Sequence, residues 1–108
     1  MISLYKQLVT FLFLSLPLIS LHAQITGKLI HGDHSPVQYV NVLLFRQVDS
    51  VMVKGTISDT LGIYHLQDIP EGHYYLLFQS MCYQEQMMGG IELKENAELI
   101  VPEIRMME

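Results

Sequence analysis

Five histidines are the residues of this chain with the widest range of possible chemistry. His31, Asp33 and His34 crowd one turn-forming segment, and a hairpin could bring His65 close to His73. A zinc site needs three or four ligands that converge in tetrahedral geometry, whereas the sequence supplies one tight turn and two separate histidines. We therefore predict no metal ion and no cofactor, with His31 and His34 as ordinary polar turn residues.

The other candidates for catalysis are one thiol and scattered carboxylates. Cys82 has no signature neighbours of a thiol nucleophile, and the chain contains neither a Gly-x-Ser-x-Gly elbow nor a His-x-x-Glu pair. Glu92, Glu95 and Glu98 flank Lys94 without the Asp/Asn spacing and the turn glycine of a calcium loop, which favours a solvated turn. The sequence thus predicts no catalytic residue, and it leaves paired carboxylates open as an alternative.

The first 23 residues predict export. Residues 8–21 are almost wholly apolar, follow Lys6 and contain Pro17. A membrane-spanning helix needs roughly 20 apolar residues, and this run is shorter and ends near the small Ala23. We expect residues 1–23 to be a cleaved signal peptide, with a retained membrane anchor as the alternative.

Cleavage there removes 23 of the 108 residues and leaves 85, enough for one domain with one core. Lys6 is the only charged side chain in the removed segment, so the rest carries 5 basic and 11 acidic residues, a net charge of −6. Basic clusters are absent, which makes nucleic acid and anionic lipid surfaces poor partners. Cys82 has no disulfide partner in the chain, so apolar packing must hold the fold, and we expect Cys82 to be buried.

Beyond residue 23 the sequence predicts an all-β domain. Turn signals recur about every 8 to 12 residues, which favours a seven-stranded β-sandwich, with a small barrel as the alternative. Residues 37–46 are apolar on both faces, as in a strand that is covered on both sides or that bends between two sheets. The expected strands are 24–31, 37–46, 51–58, 63–67, 73–79, 83–93 and 97–104.

Two turn signatures lie inside this pattern. In the first, Asp59 can bond its own following backbone, and Gly62 can take the positive φ that ends such a turn. In the second, Pro70 sets φ for a turn position, and we expect a positive φ at Gly72. The alternating residues that follow are predicted to face the core: Tyr64, Leu66, Tyr74, Leu76 and Phe78. The adjacent Tyr74 and Tyr75 are interpreted as strand-forming and packing residues rather than ligand-stacking ones.

These residues, in this order, resemble the carboxypeptidase regulatory-like domain, a transthyretin-like seven-stranded sandwich. The resemblance covers about residues 24–104 and leaves 105–108 as a tail. It rests on Gly27-Lys28-Leu29, Pro36-Val37-x-Tyr39-Val40-Asn41-Val42, Gly55-Thr56-x-Ser58-Asp59-x-x-Gly62-x-Tyr64-x-Leu66 and Ile69-Pro70-Glu71-Gly72-x-Tyr74-x-Leu76. It implies structural roles in turns and core for Gly27, Asp59, Gly62, Tyr64, Pro70, Gly72, Tyr74, Leu76 and Tyr83.

The resemblance also implies a location and a role. In exported proteins of Bacteroidetes, such a domain typically precedes the plug and barrel of a TonB-dependent outer-membrane receptor, with Gln at the mature start, as Gln24 would be. It implies a non-catalytic module in the periplasm or at the outer membrane that binds a protein partner and meets the membrane only through an attached barrel. The alternative is a free-standing periplasmic or surface interaction or adhesion domain, which would offer an exposed strand edge or a tyrosine-rich face.

The sequence departs from the family pattern at several points. Cys82 stands where family members usually carry glycine, directly before Tyr83, which predicts an altered bend. The sequence ends at Glu108, before the plug and barrel of a receptor, so we expect a receptor fragment or a free-standing protein. A transthyretin-like enzyme hydrolyses a ring amide with a carboxy-terminal Tyr-Arg-Gly-Ser. Residues 105–108 do not match that motif, so this activity is not expected.

Overall fold

The computed structural model describes residues 22–108 as two β-sheets that pack face to face. The strands are β1 Ala23–Ile30, β2 Asn41–Arg46, β3 Met52–Ile57, β4 Ile63–Ile69, β5 Gly72–Ser80, β6 Tyr83–Leu93, β7 Glu98–Ile100 and β8 Ile104–Arg105. Sheet I has the order β4-β1-β7, with β8 also paired to β1, and sheet II has the order β3-β2-β5-β6. The predicted all-β sandwich is confirmed.

The predicted signal peptide lies outside the described residues, apart from its last two. Of these, Ala23 begins β1, pairs with Ile69 and is buried. Within residues 22–108 we find no helix of the length and apolarity that a membrane crossing requires.

The segment before β2 crosses from one sheet to the other. The Val37 N–H donates to the Leu29 carbonyl of sheet I at 3.0 Å, whereas β2 begins in sheet II only after Tyr39 turns the chain with a φ of 62°. The buried Ser58 hydroxyl fixes this crossing, since it donates to the Val37 carbonyl and accepts from the Val40 N–H, both at 2.9 Å. Residues 37–46 therefore do cross from one sheet to the other, but the crossing precedes the strand, and β2 itself lies in sheet II alone.

The last predicted strand, 97–104, is divided into two short strands at Pro102. Both β7 and β8 pair in parallel with β1, so they occupy one edge of sheet I in succession. Pro102 lies between them and has no N–H to donate, which breaks the hydrogen-bond ladder and raises the strand count from the predicted seven to eight. The residues predicted as a tail pack onto the domain: Met106 is 3% exposed, and the Gln84 N–H of β6 donates to the Met107 carbonyl.

The core lies between the two sheets. The five residues predicted to face it from the fourth and fifth strands are all buried, so the alternation was interpreted correctly. Tyr64 meets Phe78 edge to face, with ring centroids 5.6 Å apart. Tyr64 also lies over Gly27, its partner on β1, where a Cβ would overlap the phenol ring. Its hydroxyl is buried without a hydrogen-bond partner among the described residues, and burial raises the pKa of Tyr64 to about 12.

Candidate protein-interaction face

Asp59 and Gly62, the two residues of the first turn signature, stabilise the connection from β3 to β4. One carboxylate oxygen of Asp59 accepts from the N–H groups of Leu61 and Ile63, at 2.9 and 3.0 Å. Gly62 has a φ of +74°, as expected, and a Cβ there would collide with the Leu29 carbonyl oxygen. Asp59 and Gly62 therefore act on the backbone and not on a ligand.

The second turn differs from the expectation. Gly72 does not have a positive φ; the left-handed residue of this region is Asp68, with a φ of 56°, in a bulge of β4 opposite the start of β1. A Cβ at Gly72 would lie 3.3 Å from the Tyr74 hydroxyl oxygen, so glycine is favoured here by close packing. The Tyr74 hydroxyl donates to the Pro70 carbonyl at 2.7 Å, and a tyrosine that bonds backbone just upstream recurs in β-sandwiches.

The histidines considered as metal ligands lie apart. His65 is on sheet I, 3.1 Å from the Thr26 hydroxyl, whereas His73 is on sheet II. His31 lies beside Tyr83, whose half-buried hydroxyl is 2.6 Å from Nε2, so Tyr83 links the two sheets. Residues 22–108 contain no cluster of three or more side chains able to hold a metal ion.

Cys82 is exposed, so the prediction of a buried thiol was wrong. Met81 and Cys82 form the two-residue turn that joins Ser80 to Tyr83, beyond the area where the two sheets pack. A side chain at such a turn has no opposing sheet to cover it. The expected strands 73–79 and 83–93 already leave Cys82 in the connection between them, so its position in the chain is a better guide to exposure than its residue type.

Among residues 22–108, two open grooves are candidates for small-molecule binding. One, of about 340 Å³, lies between β6 and the β7–β8 connection, and Glu103 is the only ionisable side chain that lines it. The other, of about 210 Å³, is lined by Arg46, Glu71, His73 and Tyr74 beside less polar residues. Neither groove brings two carboxylates together, so the alternative that the sequence left open has no counterpart in them.

The outer face of sheet II is the surface of this domain that stands out. Because residues directly opposite each other in an antiparallel pair project to the same side, the strand registers define its rows. The row at one end joins Met52, Phe45 and Tyr75; the middle row joins Gly55, Leu43, Leu77 and Met87; the third joins Ile57, Asn41 and Gln79. We call these residues the sheet II face.

The sheet II face is both apolar and accessible to solvent. Met52, Ile57 and Met87 are 54%, 56% and 67% exposed, and the apolar residues between them on β2 and β5 are half-buried. The opposite surface, the outer face of sheet I, carries mainly polar side chains, among them Thr26, Lys28, His65 and Glu98. Antiparallel sheets commonly expose a polar face to water, so the sheet II face is the exception in this molecule.

The β3 edge of sheet II is protected against pairing with another strand. The register of β3 shifts at Val53, which marks a β-bulge, and Lys54 lies opposite Leu44 on the inner side of the sheet. Bulges and inward-pointing charges are devices by which edge strands avoid adding a further strand. At β3, the alternative of an exposed strand edge is therefore less suited to binding than the face beside it.

Comparison with known proteins shows the fold. The sequence matches no protein-family model and no curated protein. The structure resembles part of the Bacillus anthracis TIE protein (TM-score 0.67, 17% identity, 80% of this chain and 16% of that one) and a streptococcal ancillary pilin (0.59, 11%, 79% and 32%). It also resembles the Klebsiella pneumoniae 5-hydroxyisourate hydrolase (0.55, 12%, 77% and 84%).

This chain thus spans a sixth to a third of the length of the first two proteins. At these identities the similarity shows a transthyretin-like and immunoglobulin-like sandwich and carries no function with it.

The sequence contained a signal for the sheet II face that went unused. Residues 37–46 were recognised as apolar on both faces, and the same holds for β5, where Tyr75 and Leu77 alternate with the buried Tyr74 and Leu76. Two neighbouring strands that are apolar on both sides predict that both sides are covered. Tyr75, interpreted as a packing residue, lies instead on the sheet II face and stacks on Phe45.

Proposed function

We propose that this protein is an exported, non-catalytic interaction module that binds a protein partner through the sheet II face. The observation that carries the proposal is the contiguous apolar patch in the first two rows of that face, formed by Met52, Phe45 and Tyr75 in one row and by Leu43, Leu77 and Met87 in the next. Apolar patches on the surface of a soluble domain mark interaction sites when they are contiguous. The outer face of sheet I, which is mainly polar although it includes the exposed Ile100, provides an internal contrast, because it belongs to the same small domain.

Site-specific photocrosslinking in the source organism tests this proposal. A photoreactive amino acid replaces Leu77, in the centre of the sheet II face, and in a matched variant it replaces His65, which is exposed on the outer face of sheet I. We expect a discrete covalent adduct from position 77 and none from position 65. The adduct should disappear when Leu43, the neighbour of Leu77 on β2, is replaced by lysine.

Two outcomes would contradict the proposal. Equal adducts from both positions would mean that the crosslinks report chance encounters, and no adduct from position 77 would mean that the face is not covered in the cell. The L43K variant must retain the cooperative unfolding of the parent protein, because Leu43 is half-buried over Gly55. With that control, loss of the adduct reports loss of the contact and not loss of the fold.

For the biological setting, we propose the accessory domain of a TonB-dependent outer-membrane receptor. The support is the ordered set of turn and core residues on which the sequence resemblance rests, together with the predicted signal peptide. The coding sequence that follows codon 108 tests this setting directly. A frame that encodes a plug and a barrel would support it, and unrelated genes after a clean stop would favour the free-standing interaction or adhesion domain.

A further inference from the structure

One position of the sheet II face is left open beside Tyr75. The rings of Phe45 and Tyr75 lie directly across from each other on β2 and β5, are nearly parallel at 9°, and have centroids 5.1 Å apart. Phe45 covers the face of the Tyr75 ring on the β2 side, so the second face is turned away from β2, toward the β6 side of the sheet. On β6 the register passes from Met88 to Ile91, which places only glycines opposite Tyr75.

These two glycines leave a slot, and the fold requires only one of them. Gly90 has a φ of +70° and forms the bulge of β6, a conformation that favours glycine. Gly89 does not have a positive φ, and a Cβ built on it would meet no atom within 4 Å. Backbone conformation and packing therefore do not explain the missing side chain at Gly89, and the slot over it exposes one face of the Tyr75 ring.

Two carboxylates lie beside the slot. Glu92 lies directly opposite His73 and projects to the same side of the sheet as Tyr75. His73 is two positions before Tyr75 on β5. Glu85 follows on the other side of Met87 and accepts a hydrogen bond from Gln79 at 3.0 Å. β6 contains no lysine or arginine, and Lys94 follows it directly, so Glu85 and Glu92 are the charged side chains that β6 itself brings to this border.

We propose that this slot binds an arginine side chain of the protein partner, an inference that rests on the proposed function and specifies its partner. The guanidinium would stack on the open face of Tyr75, in the place that a β6 side chain would otherwise fill, and its N–H groups would pair with the Glu92 carboxylate. Arginine suits this slot because its plane is charged, weakly hydrated and able to stack on an aromatic ring while donating hydrogen bonds in that plane. Lysine would keep the charge and lose the stacking plane.

Nuclear magnetic resonance titration with three matched peptides tests this inference. The peptides are acetyl-Leu-Arg-Leu-amide and its counterparts with lysine or norleucine in the centre. We expect the arginine peptide to bind most tightly, to shift the amide signals of Gly89, Gly90 and Glu92, and to show upfield ring-current shifts of its own δ-methylene protons. Replacement of Tyr75 by leucine should raise the dissociation constant about two- to fivefold, the range of an exposed cation–π contact.

Variants at the slot sharpen the result. Gly89→Leu should abolish the preference for arginine because its side chain occupies the slot, whereas His65→Leu, on the other sheet, should leave the preference unchanged. Glu92→Gln should reduce the advantage of arginine over norleucine. Equal binding of the three peptides, an arginine preference that survives Gly89→Leu, or no saturable shift with any peptide would each overturn the inference.

The crosslinking experiment distinguishes failure of the arginine slot from failure of the interaction face. An adduct from position 77 without an arginine preference leaves the interaction face standing and removes the arginine slot. The absence of that adduct contradicts the interaction face itself, whatever the peptides do.

Discussion

The two signature tyrosines that face the core should respond in opposite ways to loss of their hydroxyl groups. Tyr74 donates a 2.7 Å hydrogen bond to the Pro70 carbonyl, whereas the Tyr64 hydroxyl is buried over Gly27 without a partner among the described residues. A net hydrogen bond contributes about 1 kcal/mol to stability, and a buried polar group without a partner costs about 1 to 3 kcal/mol. Replacement by phenylalanine removes a stabilising contact in one case and a destabilising group in the other.

The expected magnitudes follow from this difference. Tyr74→Phe should lower the free energy of unfolding by about 1 kcal/mol, which corresponds to a fall in melting temperature of about 4 to 8 °C for a domain of this size. Tyr64→Phe should leave the free energy of unfolding unchanged or raise it by about 1 kcal/mol. Both variants keep the aromatic ring, so the packing of Tyr64 against Phe78 is retained in either case.

High pH gives Tyr64 a second, independent readout. Its pKa is raised by burial from 10.0 to about 12, so the folded state keeps the phenol proton at a pH where the unfolded chain has lost it. The stability from this difference is fully present below pH 10 and is lost as the pH rises to about 12, a fall of about 2 to 3 kcal/mol. Tyr64→Phe removes this part of the alkaline loss. Burial also raises the pKa of Tyr74, with Arg46 opposing, so Tyr74→Phe should likewise remove a part of the alkaline loss.

Urea unfolding measures the free energy of unfolding of the parent and of both variants, at pH 7 and at several higher pH values up to 12. Equal m-values would confirm that each protein exposes the same surface on unfolding. The reasoning is refuted if Tyr64→Phe loses more than about 1 kcal/mol at pH 7, the value of a normal hydrogen bond. It is also refuted if the alkaline loss of stability is the same with and without the Tyr64 hydroxyl.

Three further predictions concern single positions. Ser58→Ala should lower the free energy of unfolding by about 2 kcal/mol or more, because it leaves the Val37 carbonyl and the Val40 N–H of the sheet crossing unpaired. Urea unfolding measures this loss, and a loss below about 0.5 kcal/mol would mean that the Ser58 hydroxyl does not stabilise the crossing. Gly62→Ala should destabilise the protein by at least about 1 kcal/mol, through positive φ and collision with a carbonyl, whereas Gly89→Ala, which meets open space, should change the melting temperature little. The exposed Cys82 thiol should react with a thiol reagent in the folded protein as fast as in urea, and protection by folding would contradict its exposure.

The sequence predicted those parts of the fold that depend on local backbone chemistry. Asp59 and Gly62 form the expected turn because the carboxylate and the missing Cβ act within four residues of each other. The second turn was assigned less well, since the positive φ belongs to Asp68, and its place depends on the pairing of β4 with a distant strand. Local patterns cannot reveal such a long-range register.

The sheet II face escaped sequence reasoning for a different reason. Alternation identifies the buried side of a strand only when the two sides differ in polarity. In β2 and β5 both sides are apolar, so Phe45 and Tyr75 are indistinguishable by type from the core residues beside them. The side of β2 and β5 that is buried is the side on which sheet I packs, and the outer face of sheet I is mainly polar. The slot beside Tyr75 further required the bulge of β6, which no single-strand pattern predicts.

The parallel pairing of β1 with β7 and β8 has a consequence for the time at which the protein folds. Gln24 pairs with Glu98, and Leu29 with Ile104, so one edge of sheet I joins residues from opposite ends of the described chain. Contacts of such large sequence separation close late and slow the folding of β-sandwiches to milliseconds or seconds. A nascent chain in which residues 97–108 are not yet made has no partner for this edge of β1. The domain would therefore remain incompletely folded until that segment has been synthesised.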